Sequence, residues 1–332
     1  MVSRNSLTTW LSRALVPLAL SGCAGGDVPP SSGLAAGELA RLELEASYPE
    51  PFSFLNSIRE LSDGTVMAAD PLSQVLLHLD LLAGTADTLG RVGEGPQEYK
   101  QPDQVFPLPG DSTLLVDIGK VQLTVIGPDG AFYDGTKLAT PIEGGGLTFI
   151  MPRVLDRRGR IYFPGSMGMG EGPPDSTVIA RYDRSTEVVD TVGWVWRPEP
   201  RIERSGGNMR VMSPQMEGRD DWAVGPEGQL AIVRAAGYAV EWHYPDGRVV
   251  TGPPHPVETD RISDADKYAF LEERSSGGLA VMVSSSSSGA MDMSMSRGGA
   301  GLGDSEPNLL DFEWAEEFAP FRADRARVSP AG

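Results

Sequence analysis

The chain has 332 residues, 40% of them hydrophobic, which is enough to build the core of one large domain or two ordinary ones. Its 40 glycines and 27 prolines favour many short strands joined by turns over long helices. A formal charge of −18 excludes a nucleic-acid partner, because binding a phosphate backbone needs clustered Lys and Arg; the acidity reads as solubility and self-repulsion.

Taken in chain order, Met1 to Arg13 carries Arg4 and Arg13 without an acid, and Ala14 to Leu20 reads ALVPLAL, apolar but too short to span a bilayer. Residues 1–22 therefore read as a signal peptide. Cys23 is the single cysteine, so neither an intramolecular disulfide nor a thiolate cluster can form. Leu20-Ser21-Gly22-Cys23 resembles the bacterial lipobox. That resemblance implies cleavage before Cys23, a diacylglycerol on its thiol and N-acylation, and two or three acyl chains anchor stably where one does not. An incidental cysteine after an ordinary signal peptide is the alternative. Ala24, where Asp would signal retention, favours the outer membrane or cell surface. Residues 23–36 are small, polar and Pro-rich, a tether between lipid and fold.

From residue 37 to 260 one pattern recurs: an apolar-alternating run, a turn with Gly, a second run, a third run, another turn and a fourth run. The second copy, Gln104 to Leu138, reads QVFPLPGD, STLLVDIG, QLTVIGPDG and AFYDGTKL; the fourth, Asp221 to Pro254, reads DWAVGPEG, QLAIVRAA, AVEWHYPDG and RVVTGPP. The first copy contains NSIRELSDG and QVLLHLDLLAG, and the third contains MPRVLDRRG and TVIARYDRST. The separations Gly64 to Gly84, Gly110 to Gly130 and Gly228 to Gly247 agree within one residue. The third copy lacks its second turn Gly and carries a loop, SMGMGEGPPDS, between its second and third runs. Alternation along each run buries one face of an antiparallel sheet, and Asp-Gly supplies the positive φ of a tight hairpin. Four strands per unit, with units 46 residues apart from Gly64 to Gly110 and 49 from Gly110 to Gly159, predict an all-β fold, a β-propeller blade repeated about four times. The alternating LARLELEA, Leu39 to Ala46, is placed to close such a ring by pairing with its final blade.

The stretch Leu89 to Gly130 resembles the NHL-type repeats of six-bladed propellers found in bacterial envelope lipoproteins, whose blades are linked by a G-x-G-x-G-P-x-E-[FY]-x-x-P segment. The matching residues are Gly93, Gly95, Pro96, Glu98, Tyr99 and Pro102. Gln97 departs from the Gly usual there, and Asp117, Lys120 and Val121 match the family's second element loosely. The resemblance covers about Ile58 to Pro254 and implies a six-bladed architecture, not a ligand. Physically, the glycines reverse the chain, Pro sets φ, and Tyr99 supplies a plate to wedge between blades.

After Pro254 the pattern changes, and residues 261–324 read as a helical and low-complexity insertion. Arg261 to Arg274 contains Ser263 as an N-cap with Asp266 three residues on, predicting a short helix lying on the propeller as a lid or a packed excursion. Val283 to Pro307 is low in complexity and is expected without order. Met291, Met293 and Met295 alternate there; thioethers suit soft Cu(I), but no His or Cys accompanies them. In Asp311 to Phe321, Trp314 and Phe318 have the spacing of one helical face. The closing RARVSPAG, residues 325–332, aligns with WAVGPEG and reads as the first strand and turn of a fifth blade, making the chain an incomplete propeller, or as a closing strand for another blade.

The histidines, His78, His243 and His255, form no zincin pattern, and no nucleophile-elbow pattern occurs. A lactonase-like propeller draws its Ca²⁺ ligands from several blades, and Asp70, Asp117 and Asn208 are the candidates, although an Asp at a repeated position is also a turn former. Three readings follow. The chain is a lipid-anchored envelope module that binds a protein, peptide or glycan, its membrane contact made through Cys23; or a Ca²⁺-assisted lactonase-like or lyase enzyme; or a truncated fragment without function, exposing unpaired strand edges.

Overall fold

Each of the four sequence copies folds as one four-stranded antiparallel sheet with its strands in chain order. The computed structural model describes residues 43–332 except 134, 142–146, 166–174, 198–200, 206–207, 213, 278, 286–290, 298–307, 322, 324–325 and 330–332. The chain divides into two units, Met1–Glu45 and Ala46–Gly332, and every element below belongs to the second. The signal-peptide and tether readings, Cys23 among them, lie outside the described residues, as does most of the third copy's loop.

The first sheet comprises β1 (Ser57–Glu60), β2 (Val66–Asp70), β3 (Val75–Asp80) and β4 (Thr85–Thr88). A short parallel pair follows, β5 (Arg91–Val92) with β6 (Glu98–Tyr99). The second sheet is β7 (Pro102–Pro107), β8 (Thr113–Asp117), β9 (Gln122–Ile126) and β10 (Thr136–Lys137), then the ribbon β11 (Ala139–Pro141) and β12 (Leu147–Phe149). The third is β13 (Val154–Leu155), β14 (Ile161–Pro164), β15 (Ser176–Asp183) and β16 (Val188–Trp196), followed by the ribbon β17 (Arg201–Ser205) and β18 (Asn208–Met212). The fourth is β19 (Asp221–Val224), β20 (Leu230–Arg234), β21 (Ala239–His243) and β22 (Val249–Thr251).

Period-two patterning explains the packing. Leu114, Val116 and Leu123 from the second sheet meet Ile161, Phe163, Val178 and Tyr182 from the third. Met67, Ala69 and Leu76 from the first meet Val105, Leu115 and Ile126 from the second. Tyr162 and Ile179 from the third meet Trp222, Val224, Leu230 and Ile232 from the fourth. Three apolar seams thus join four sheets in sequence, while the outermost strands β4 and β22 are exposed along their whole length. A succession of four-stranded antiparallel meanders packed face to face is a β-propeller arrangement, here with four blades among the described residues. The turn of the first hairpin needs a left-handed residue and takes Gly, with φ +85° at Gly64 and +86° at Gly228. At Gly228 a Cβ would also meet the Arg160 guanidinium and lie 2.8 Å from the Tyr162 hydroxyl.

The C-terminal third departs from expectation in several places. The predicted helix forms as α1 (Asp264–Gly277), and its cap is reciprocal: Ser263 N–H donates to Asp266 Oδ2 at 2.9 Å while Asp266 N–H donates to Ser263 Oγ at 3.3 Å. The stretch expected without order instead contributes to a hairpin, β23 (Leu279–Ser285) with β24 (Met291–Arg297). Its register sets Val281 against Met295 and Val283 against Met293, so a strand period lay beneath the low-complexity composition. Trp314 and Phe318 do not share a helix. Ala315 N–H bonds Gln215 O and Phe318 N–H bonds Asp260 O, so tertiary partners take the backbone groups a helix would need. Trp314 packs edge-on to Phe270 of α1, ring centroids 5.9 Å apart. Residues 43–49 and 326–329 belong to no strand; Ala326 N–H donates to Asp221 Oδ2 at 2.7 Å, which lays the tail against the start of β19.

Candidate binding cleft

The linker between the first two blades is built around one carboxylate. Glu98 folds back so that Gly95 N–H donates to Oε2 at 2.5 Å and Arg91 Nε to Oε1 at 2.7 Å. These contacts, the Gly95 bond foremost, hold its pKa below the usual carboxylate range. Gly93 lies so close to this carboxylate that a Cβ would overlap it and push Glu98 off its partners. Tyr99 is the inter-blade wedge: it is 1% exposed, its hydroxyl accepts from Leu76 N–H at 3.2 Å, and its ring stacks on Phe132 at 6.4 Å. Pro102 opens β7, and Lys120 Nζ donates to Glu98 O at 2.8 Å and Gly95 O at 3.3 Å, tying the linker to the β8–β9 turn.

Gln97 has φ +60°, a left-handed conformation that Gly adopts without strain. Its side chain offsets the strain. Phe132 N–H donates to Gln97 Oε1 at 3.1 Å, and Gln97 Nε2 donates to Phe132 O at 3.3 Å. The segment between β9 and β10 is thereby braced against the linker. Here opens a cleft of about 310 Å³, lined by Glu94 to Glu98 of the linker, by Phe132 and Tyr133, and by Lys120, Gln122 and Thr124. The sequence pattern marks the linker and Lys120 but not Gln122, Thr124, Phe132 and Tyr133. The aromatic pair in AFYDG, in the segment between two strands, was the available signal.

The candidate cation ligands sit elsewhere. Asp70 ends β2 and Asp117 ends β8, at equivalent places in their blades. Asp70 Oδ2 accepts from Ser53 N–H (2.7 Å) and Phe54 N–H (3.1 Å), and Oδ1 from Ser73 N–H (2.9 Å) and Leu72 N–H (3.1 Å). Asp117 accepts from Lys100 N–H and Gln101 N–H, both at 2.9 Å, and from Lys120 N–H at 3.2 Å. Each carboxylate sews the strand entering its blade to the turn leaving the second strand. A Ca²⁺ ion would have to displace N–H donors that a cation cannot replace, so these two residues do not fit such a site. Asn208 opens β18, outside the four blade sheets, and does not share their position. Among the described residues, no three His, Cys, Asp or Glu side chains gather as a metal ion would require. His78 Nε2 lies 2.7 Å from Thr65 Oγ1, His243 pairs with Glu241, and His255 meets the Tyr238 ring edge-on.

One buried acid carries no signal in the sequence. Asp103, 2% exposed at the start of β7, accepts from Asn56 Nδ2 at 2.7 Å; burial pushes its pKa up to about 6 against the Asn56 hydrogen bond.

No protein-family model matches the chain, and no curated protein matches it in sequence. Solved structures similar to it include selenomethionine-substituted virginiamycin B lyase from Staphylococcus aureus, at 11% identity over 61% of this chain and 71% of that one, TM-score 0.32. A member of the DUF4221 family from Bacteroides vulgatus shows 11% identity over 61% and 59%, TM-score 0.41. A gluconolactonase from Xanthomonas campestris shows 14% over 59% and 74%, TM-score 0.28. The assignment of this chain as a β-propeller rests on its own strand order and seams.

Proposed function

We propose that this chain is a binding module, carried at a bacterial cell envelope by lipid on Cys23, that recognises a protein, peptide or glycan. One observation carries the binding reading: the Gln97-braced cleft, a gap of ligand size lined by two aromatic residues and several hydrogen-bonding side chains. The sequence motifs at the lipobox and in the NHL-like linker supply the anchor and the six-bladed kinship. The alternative, a Ca²⁺-assisted lactonase or lyase, loses its candidate acids Asp70 and Asp117 to backbone hydrogen bonds.

The test expresses the full chain in a bacterial host fed labelled palmitate. Wild type is expected to carry the label and sediment with membranes, and Cys23→Ser to do neither; equal behaviour of the two ends the anchoring claim. Elemental analysis of the purified chain decides the rest. One tightly held Ca²⁺ per chain, together with turnover of a lactone, would replace the binding module with the enzyme.

A further inference from the structure

We infer that the cleft between the first-blade linker and the β9–β10 segment takes an uncharged saccharide. The inference rests on the binding-module reading and names its ligand class.

The charged side chains around the cleft are consumed by the protein itself. Glu94 pairs with Lys100 at 2.5 Å, Glu98 with Arg91 at 2.7 Å, and the Lys120 ammonium is turned onto two backbone carbonyls. A phosphate, carboxylate or ammonium ligand would have to compete with these partners for its counter-charge. The chemistry that remains is neutral: the Gln122 amide, the Thr124 hydroxyl, and the exposed Tyr133 ring with its phenol, beside a Phe132 whose ring is already stacked on Tyr99. An amide offers a donor and an acceptor a short distance apart, and hydroxyls serve as either, so the set matches neighbouring hydroxyls on a ring. An aromatic face beside them matches the C–H face of a pyranose, which is apolar while its rim is polar. Tyr133 is 54% exposed, an unusual place for a ring that serves only the core.

The volume, about 310 Å³, lies at the small end of ligand pockets, which run from about 300 to 1,000 Å³, and suits a short saccharide better than a folded partner. A preference for an uncharged ligand follows from the paired charges, since a charged ligand meets groups already partly neutralised and recovers less of its desolvation cost. The brace from Gln97 to Phe132 fixes the distance between the walls, so the site is formed before the ligand arrives.

Saturation-transfer NMR on the full chain, with glucose, N-acetylglucosamine and N,N′-diacetylchitobiose as probes and glucose 6-phosphate as the charged control, tests this. At least one neutral probe should receive saturation, with glucose 6-phosphate at least tenfold weaker. Tyr133→Ala and Gln122→Ala should each lower the signal at least tenfold while the melting temperature stays within two degrees or so, and Tyr133→Phe should retain most of it. No transfer to any neutral probe, or equal transfer in wild type and both alanine variants, overturns the inference. If the neutral sugars fail while an envelope peptide or protein binds wild type and not Tyr133→Ala, the saccharide is wrong and the binding module stands.

Discussion

Blades 1 and 2 and blade 4 solve the same joint in opposite directions. In the first two, the acid sits at the end of the second strand, Asp70 or Asp117, and reaches the N–H groups of the chain entering the blade. In blade 4 that strand ends in Arg234, and the acid has moved to the entering chain. Asp220 accepts from Ala235 N–H at 2.9 Å and from Arg234 Nη1 at 2.7 Å, and its Oδ2 also accepts Trp196 N–H at 2.9 Å. Blade 3 has Gly165 after its second strand, and its N–H bonds Val178 O instead. The joint is therefore a geometric requirement to satisfy largely part-buried N–H groups, and either side of it can supply the acceptor. This is the reason a repeated Asp in a propeller need not be a ligand.

The comparison predicts unequal costs. Asp117→Ala leaves three backbone donors without their acceptor, at about 1–3 kcal/mol for each that stays dry, so a loss of about 4 kcal/mol is expected in urea unfolding. A loss below about 1 kcal/mol would mean that water reaches the joint and the sewing role is wrong. Asp220→Ala should cost less, about 3 kcal/mol, because Arg234 keeps Glu241, with Nη2 3.0 Å from Oε2. If the order were reversed, the charged version of the joint would be the stronger.

Asp103 sits beside this joint and has no such set of donors. Because burial raises its pKa from 3.8 to about 6, the folded chain holds a proton that the unfolded chain releases between those values. Stability from this group is therefore complete below pH 3.8 and is lost as pH rises through about 6. At about 1.36 kcal/mol per unit the loss is at most about 3 kcal/mol. Asp103→Asn should remove that slope and raise stability at pH 7 by about 2 kcal/mol, the new amide hydrogens offsetting part of the gain; melting temperatures at pH 4 and pH 7 read it directly. The smallest effect belongs to the cleft. Gln97→Gly relieves a left-handed backbone but frees Phe132, and the two nearly cancel, so stability should move by less than about 1 kcal/mol. Hydrogen exchange at Phe132 N–H should rise nonetheless, which a purely structural turn residue would not cause.

Much of this molecule is local chemistry. Alternation such as Leu114 and Val116, and the Gly turns at Gly64, Gly110 and Gly228, depend on residues within a few positions of each other, so the blades and the reciprocal cap of Ser263 and Asp266 are legible in the amino-acid sequence itself. Tyr99 is legible as a wedge for the same reason. What the fold alone decided joins residues far apart in the chain: Gln97 to Phe132, Asn56 to Asp103, Asp117 to Lys100, and Phe318 to Asp260. A strand's period is set by its own backbone, but whether an acid acts as ligand, staple or buried proton store depends on which donors the other strands deliver to it. Hence the same Asp at the same place in two blades invited a metal in the sequence and holds backbone N–H groups in the folded chain.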